Sequence, residues 1–310
     1  PEAVMAGDSN NGALDLRQGE TVTVRPLEEI LATLDTCAKY EGVPFMPEMV
    51  PFCGKSFKVF RRAEKACVET IGIKSLTNSV HLEGLRCDGS AHDGCQRGCL
   101  FFWKEAWLQR GESAAGEVPG AVNQLELDGR LPTTMGDRYY CQSTELDKAT
   151  KDLPPGRLAH YFRDLKIGQI SLRRFGYILL LALLNRLSRL IHGRNFHQIT
   201  GEQKKTLTAE LNLQPDEWVE VKSAAEIQAT LDTTGRNRGL TFEPEMALHC
   251  GRRYRVATPV RKIIMEATGK MVELNNTVIL DGVACQGICA KNCHRANLLY
   301  WREIWLKRVN

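Results

Sequence analysis

Residues 53–59, Cys53-Gly-Lys-Ser-Phe-Lys-Val59, return near the other end of the chain as Cys250-Gly-Arg-Arg-Tyr-Arg-Val256. Working outward, Phe45-Met-Pro-Glu-Met49 corresponds to Phe242-Glu-Pro-Glu-Met246. Farther upstream, Glu20-Thr-Val-Thr-Val-Arg-Pro-Leu-Glu-Glu-Ile-Leu-Ala-Thr-Leu-Asp35 corresponds to Glu217-Trp-Val-Glu-Val-Lys-Ser-Ala-Ala-Glu-Ile-Gln-Ala-Thr-Leu-Asp232. Downstream, after a one-residue slip, Asn78-Ser-Val-His-Leu-Glu-Gly-Leu-Arg-Cys87 meets Asn276-Thr-Val-Ile-Leu-Asp-Gly-Val-Ala-Cys285, and Trp103-Lys-Glu-Ala-Trp-Leu108 meets Trp301-Arg-Glu-Ile-Trp-Leu306. Self-similarity at a fixed offset outranks local propensity as a guide to architecture. It predicts a tandem duplication: an N-terminal tail at 1–19, a first cysteine-rich repeat at 20–110, a linker at 111–156, a helical bridging segment at 157–216 and a second cysteine-rich repeat at 217–310.

Both repeats read alike. Val22 and Val24 alternate as in a short strand, and Pro26, or Ser223 in the second copy, opens a short helix through Ile30 and Leu34, or Ile227 and Leu231. Phe57 and Val59 alternate with Lys58, as Tyr254 and Val256 do with Arg255. The run Val80-His-Leu-Glu-Gly-Leu85 alternates too, so these stretches predict half-buried strands. From Gly94 to Arg110 the spacing predicts a helical turn at the cysteines and a strand near the end. The fold class predicted is α+β: two mostly β repeats of SH3-like or other small-barrel character. In the middle, Leu153-Pro-Pro-Gly156 breaks a partly ordered linker, and 157–163 and 172–193 are helical with Gly168 between them.

At 310 residues and a formal charge of +4, the chain is long enough for two or three domains and lacks the concentrated positive field of obligate nucleic-acid binders. Its eleven cysteines form an odd set and no signal-peptide pattern is present, so a reducing cytoplasm is the compartment predicted. The apolar run Tyr177–Leu184 falls short of the roughly 20 residues that span a bilayer. With arginines at 173, 174, 186, 189 and 194 it reads as an amphipathic helix packed on the repeats, or else as one lying on a membrane surface.

The cysteines carry the functional reading. Cys53, Cys87 and Cys95 recur as Cys250, Cys285 and Cys293, whereas the fourth member differs: Cys99 follows Cys95 in the first copy, and Cys289 precedes Cys293 in the second. Two groups of four thiols predict two metal sites, Cys53, Cys87, Cys95 and Cys99 in one, and Cys250, Cys285, Cys289 and Cys293 in the other. His92 and, more weakly, His294 compete for the fourth position. Gly54 and Gly251 follow the first cysteine of each set and allow a tight turn in which backbone amides can face the sulfur. Structural zinc at both sites is the first reading, although no Cys-x-x-Cys knuckle is present; a 4Fe-4S cluster with an open coordination position is the alternative. Cys37, Cys67 and Cys141 fall outside the sets, and Cys67 aligns with Ile264 as a core position.

Other candidates are weaker. Glu48 and Glu245 recur in Pro-Glu-Met and, with His92, are the residues that could serve as a general base beside a metal. Glu105 and Glu303, between paired tryptophans and beside Lys104 or Arg302, read as core and edge packing. Lys55, Lys58, Arg61, Arg62 and Lys65, with Arg252, Arg253, Arg255, Arg261 and Lys262, put basic residues on comparable strands, by default solvated faces. Phosphate-cradling, serine-hydrolase and zinc-protease motifs are lacking. The Pro-Glu-Met, Cys-Gly-Lys and Trp-Lys-Glu-Ala-Trp-Leu segments resemble a group of uncharacterised bacterial two-repeat cysteine-rich proteins, sometimes encoded near surface-polysaccharide or natural-product genes. The resemblance covers both repeats and implies no activity. From the residues, the function predicted is a metal-binding scaffold or adaptor for a protein or carrier partner. An iron-sulfur metalloenzyme acting on a small molecule or carrier-bound substrate is the alternative, with nucleic-acid binding third.

Overall fold

The computed structural model describes residues 13–112, 129–153, 159–166, 168–193, 198–288 and 292–309. It is an α+β structure of mostly antiparallel sheets with few helices. Alternating apolar residues place strand β1 (Thr21–Val24) inside the sheet of the first lobe, paired with β2 (Ser56–Arg62) on one side and β5 (Leu108–Arg110) on the other. Strand β3 (Ser79–Leu82) pairs with β2, and β4 (Trp103–Lys104) with β3, giving the order β4-β3-β2-β1-β5. The two edge strands, β4 and β5, are consecutive in sequence and joined only by a 3-10 turn, Glu105–Trp107. A turn of that length advances about 2 Å per residue, so the sheet must curl until its edges nearly meet. A register shift between Val59 and Arg61 marks where β2 bends to allow this.

The second lobe follows the same plan. Strands β6 (Trp218–Val221), β7 (Arg253–Pro259), β8 (Thr277–Ala284), β9 (Leu298–Arg302) and β10 (Leu306–Arg308) run in the order β9-β8-β7-β6-β10. The register shift falls between Val256 and Thr258, and Glu303–Trp305 forms the 3-10 turn between the edges. Helix α1 (Leu27–Thr33) follows β1, and its counterpart Ala224–Gln228 follows β6, opened by a capping box between Ser223 and Glu226. Each core is built on a tryptophan pair. Trp103 and Trp107 are fully buried around Phe45, which meets Trp107 edge-on at 5.3 Å; Trp301 and Trp305 surround Phe242, which meets Trp305 at 5.2 Å.

The glutamates between those tryptophans organise the entry to each sheet. Glu105 accepts hydrogen bonds from the backbone amides of Leu14, Asp15 and Leu16, and Glu303 from those of Leu211, Asn212 and Leu213. Both carboxylates are buried, so three amides in each lobe depend on one side chain. Their basic neighbours turn to carbonyls: Lys104 donates to Thr77 O and Arg302 to Asn275 O. This is core packing.

Of the segment read as a partly ordered linker, residues 129–153 carry short strands at Thr134–Met135, Arg138–Tyr139 and Lys151–Asp152 and a helix at Leu146–Ala149. Gln142 is buried and spans the first lobe, accepting from Phe102 N and donating to Phe102 O and Pro44 O. The remainder, 113–128 and 154–156, lies outside the described residues. Helices α2 (Ala159–Lys166) and α3 (Leu172–His192) follow, separated by Gly168 in the left-handed region. Helix α3 buries Ile178 and Leu181, Ile178 in a small cluster with Ile170 and Leu165 beside α2, and Arg174 ties it to the second lobe by donating to Gln286 O. No described helix is long and apolar enough to cross a membrane.

Candidate metal centre

The two lobes meet through contacts made twice. Gln96 N donates to Lys262 O, and His294 N to Lys65 O. Arg97 donates to Ile264 O and Arg295 to Cys67 O. Glu69 N donates to Glu266, and Glu266 N to Glu69. Ile264 N donates to Cys95 Sγ at 3.3 Å, and Cys67 N to Cys293 Sγ at 3.1 Å. Each bond in one direction has a partner in the other, the reciprocal pattern of an isologous interface, here between two lobes of one chain. Of the cysteines read as ligands, Cys95 and Cys293 thus lie at the lobe boundary, and each of these two receives an amide from the opposite lobe.

On the first side of this boundary, Cys87, Cys95, Cys99 and Cys141 line one cavity of about 30 Å³, together with His92, Arg97 and Arg295. Room for one or two water-sized spheres is room for an ion. The site is built on two turns. In Cys87-Asp88-Gly89, the Gly89 amide points at the Cys87 sulfur, and Gly287 N donates to Cys285 Sγ at 3.4 Å in the other lobe. Both glycines have left-handed φ (71° each), and a Cβ on Gly89 would lie 2.2 Å from Cys95 O. Amide-to-sulfur bonds of this kind favour a thiolate over a thiol.

Several site expectations need correction. Cys95 and Cys99 do not share a helical turn: Gly98 takes a left-handed conformation between them, Gln96 bonds across to Lys262, and the segment runs extended until Leu100 bridges Arg86. Gly54 N and Gly251 N donate to Val24 O and Val221 O, holding the turn to the central strand rather than facing a sulfur. Cys53 does not line the cavity; it is fully buried in the apolar core of the first lobe, where burial pushes its thiol up to about 12. Cys141, set aside because it falls in the segment read as a linker, does line it. Cys67 likewise reaches the second boundary, where its amide meets Cys293; burial and the nearby Cys293 push its own thiol up to about 11. Cys289 lies outside the described residues, and Cys250 sits at the edge of the second core.

His92 is not free to ligate. Its Nδ1 is 2.6 Å from Glu48 Oε1 and its Nε2 is 2.9 Å from Tyr140 O, so both nitrogens face acceptors. Burial opposes charge on the ring, but the Glu48 carboxylate outweighs it and holds the pKa above the ordinary histidine value. Glu48 Oε1 also accepts from Ala91 N and from the Cys87 thiol at 3.7 Å, and Glu245 accepts from Gln286 N at the matching place. These carboxylates brace the loops after Cys87 and Cys285. His294 is buried against Gln169 and Asp164, and burial lowers its pKa. The basic strands are not continuous faces: Arg62 is buried against Glu64 and Glu105, and Lys65 against Asp164.

Electrostatics converge on Cys99. The guanidinium groups of Arg86, Arg97 and Arg295 lie within reach of its charge, and so do the sulfurs of Cys87, Cys95 and Cys141. Burial is the main cause that pushes up the thiols of Cys87 and Cys95, and that of Cys141 to about 11. The donor chemistry therefore fits a thiophilic cation. The spacing does not: among the described residues, no three histidine, cysteine, aspartate or glutamate side chains converge on one point, so capture of an ion requires the thiols to turn inward. Comparison with family models, curated proteins and solved structures finds no match to the chain.

Proposed function

We propose that this chain is a metal-binding scaffold: a tandem duplication of an SH3-like small barrel whose two copies are clamped together, with structural zinc at their boundary. The observation that carries the reading is the gathering of Cys87, Cys95, Cys99 and Cys141 on one cavity beside Arg97 and Arg295. Four thiolates around a dication leave an excess of two negative charges, which is costly in a buried place unless cations stand next to it. Three guanidinium groups do so here. The second site would draw on Cys67, Cys285 and Cys293 with Cys289, by the same crossing of residues between lobes. The order of edge strands around a 3-10 turn supports the barrel, and the reciprocated contacts support the duplication.

In this reading Glu48 and Glu245 hold the cysteine loops rather than act as bases, and the two lobes present similar surfaces to a partner or carrier. Because burial raises the thiols of Cys87, Cys95 and Cys141 and so favours their protonated form, loading releases protons and apparent affinity rises with pH. Metal analysis with an ultraviolet-visible spectrum on anaerobically purified protein tests this. Colourless protein with zinc bound is expected. Brown protein containing iron and absorbing broadly in the visible would replace the scaffold with an iron-sulfur protein, and metal-free protein that takes up no zinc would remove both.

A further inference from the structure

Helix α3 carries an apolar face that no described residue covers. Leu180, Leu183, Leu187, Leu190 and Ile191 are all exposed, Leu190 at 76% and Ile191 at 72%. Spaced three and four apart, they form one stripe on the side opposite Ile178 and Leu181, which pack on the protein. Tyr177 and Leu172 extend it, and the exposed Phe162 of α2, in tilted contact with Phe175 at 5.2 Å, adds to it. A contiguous exposed patch of this kind marks an interaction surface rather than scattered surface apolarity.

Charge identifies the partner. The helix sequence LRRFGYILLLALLNRLSRLIH contains arginines at 173, 174, 186 and 189 and neither aspartate nor glutamate. Arg174 is spent on Gln286 O, while Arg173, Arg186 and Arg189 are exposed, Arg173 and Arg186 within and beside the stripe and Arg189 on the side of Ile178. A second copy of this helix would bring arginines against arginines with no acid to pair them, which disfavours self-association. A leucine face bordered by arginines, on a helix packed against α2, has the composition of a helix that lies in the plane of an anionic bilayer surface. We infer that α3 docks the protein on a membrane surface rich in anionic lipid headgroups, with Leu180, Leu183, Leu187, Leu190 and Ile191 in the acyl boundary and Arg173 and Arg186 at the phosphates.

Sedimentation of the full chain with vesicles tests this, using phosphatidylcholine alone and an equimolar mixture with phosphatidylserine. Wild type is expected to sediment with the anionic vesicles and much less with the neutral ones. L183N/L187N should abolish binding to both. R173Q/R186Q should remove the preference for anionic vesicles, at roughly fivefold in partitioning per arginine. All substituted side chains are exposed, and an unchanged far-ultraviolet circular dichroism spectrum checks that the fold is intact. The inference is overturned if wild type ignores anionic vesicles, or if L183N/L187N binds them as well as wild type. It is also overturned if the lipid-free chain is a dimer that L183N/L187N dissociates, since the stripe would then be an interface between copies.

Discussion

Replacing Gly89 by alanine isolates the close packing that shapes the first thiol site. Gly84 and Gly89 share nearly the same backbone, with φ of 73° and 71°, but differ in surroundings: a Cβ on Gly84 meets nothing within 4 Å, whereas one on Gly89 meets Cys95 O at 2.2 Å and Cys95 N at 2.6 Å. Gly84→Ala therefore carries only the left-handed penalty, about 1–2 kcal/mol. Gly89→Ala carries that and must also push the backbone of Cys95 away by more than an ångström. This breaks into a turn whose bonds are Gly94 N to Gly89 O (2.9 Å), His92 N to Gly89 O (2.9 Å) and Cys95 N to His92 O (3.0 Å). At about 1 kcal/mol for each bond lost, the total is roughly 3–5 kcal/mol. The second lobe offers the same pair, Gly282 with open space and Gly287 with a Cβ at 2.4 Å from Cys293 N. Denaturant unfolding followed by tryptophan fluorescence measures all four variants. Gly89→Ala and Gly287→Ala should lose about 2–3 kcal/mol more than their open partners; equal losses within a pair would refute the close approach of the Cys87 and Cys95 turns.

Glu105→Gln should cost about 2–4 kcal/mol in the same assay, because an amide side chain cannot accept from three backbone N–H groups as a carboxylate does and Arg62 loses a buried counter-ion. Arg295→Ala should cost about 3 kcal/mol, by leaving Cys67 O without its donor and removing the Arg295–Glu266 ion pair at 2.8 Å. The junction should also loosen in acid. Burial pushes Glu266 up, but Arg295 and Arg97 outweigh it and hold the carboxyl below its ordinary value, so its contribution is complete above the unfolded pKa of about 4.3 and lost as pH falls through the folded one. His92 works in the opposite sense: its raised pKa gives a contribution complete below about pH 6.5 and lost as pH rises through the folded value. His92→Gln should remove that alkaline loss from a stability-against-pH profile.

Local pattern gave access to part of this structure. Val22 with Val24, and Phe57 with Val59, alternate strongly enough to mark strands, and Ser223 with Glu226 writes its helix start in the sequence. Cys95 to Cys99 was misread because four-residue spacing suits a helix, yet Gly98 takes the left-handed conformation that ends one; the glycine was the available signal. Recurrence found Cys87, Cys95, Cys285 and Cys293 but also promoted Cys53, which recurs because the core needs a small apolar residue there. The same filter discards Cys67, and the linker reading sets aside Cys141; both reach the boundary only once the lobes and the intervening chain are placed in space. Cys87-Asp88-Gly89 and Cys285-Gln286-Gly287 repeat in the sequence and could have indicated the amide-to-sulfur turns. The unpartnered face of α3 was legible as an amphipathic pattern, but which side faces outward required the fold.

Zinc content of Cys141→Ser and Cys53→Ser, measured beside wild type, tests most directly whether the boundary cavity is the metal site. If Cys87, Cys95, Cys99 and Cys141 act together, Cys141→Ser loses the zinc of the first lobe while Cys53→Ser keeps it. Loss in Cys53→Ser with retention in Cys141→Ser would contradict the boundary site and return the ligands to the set read from recurrence alone.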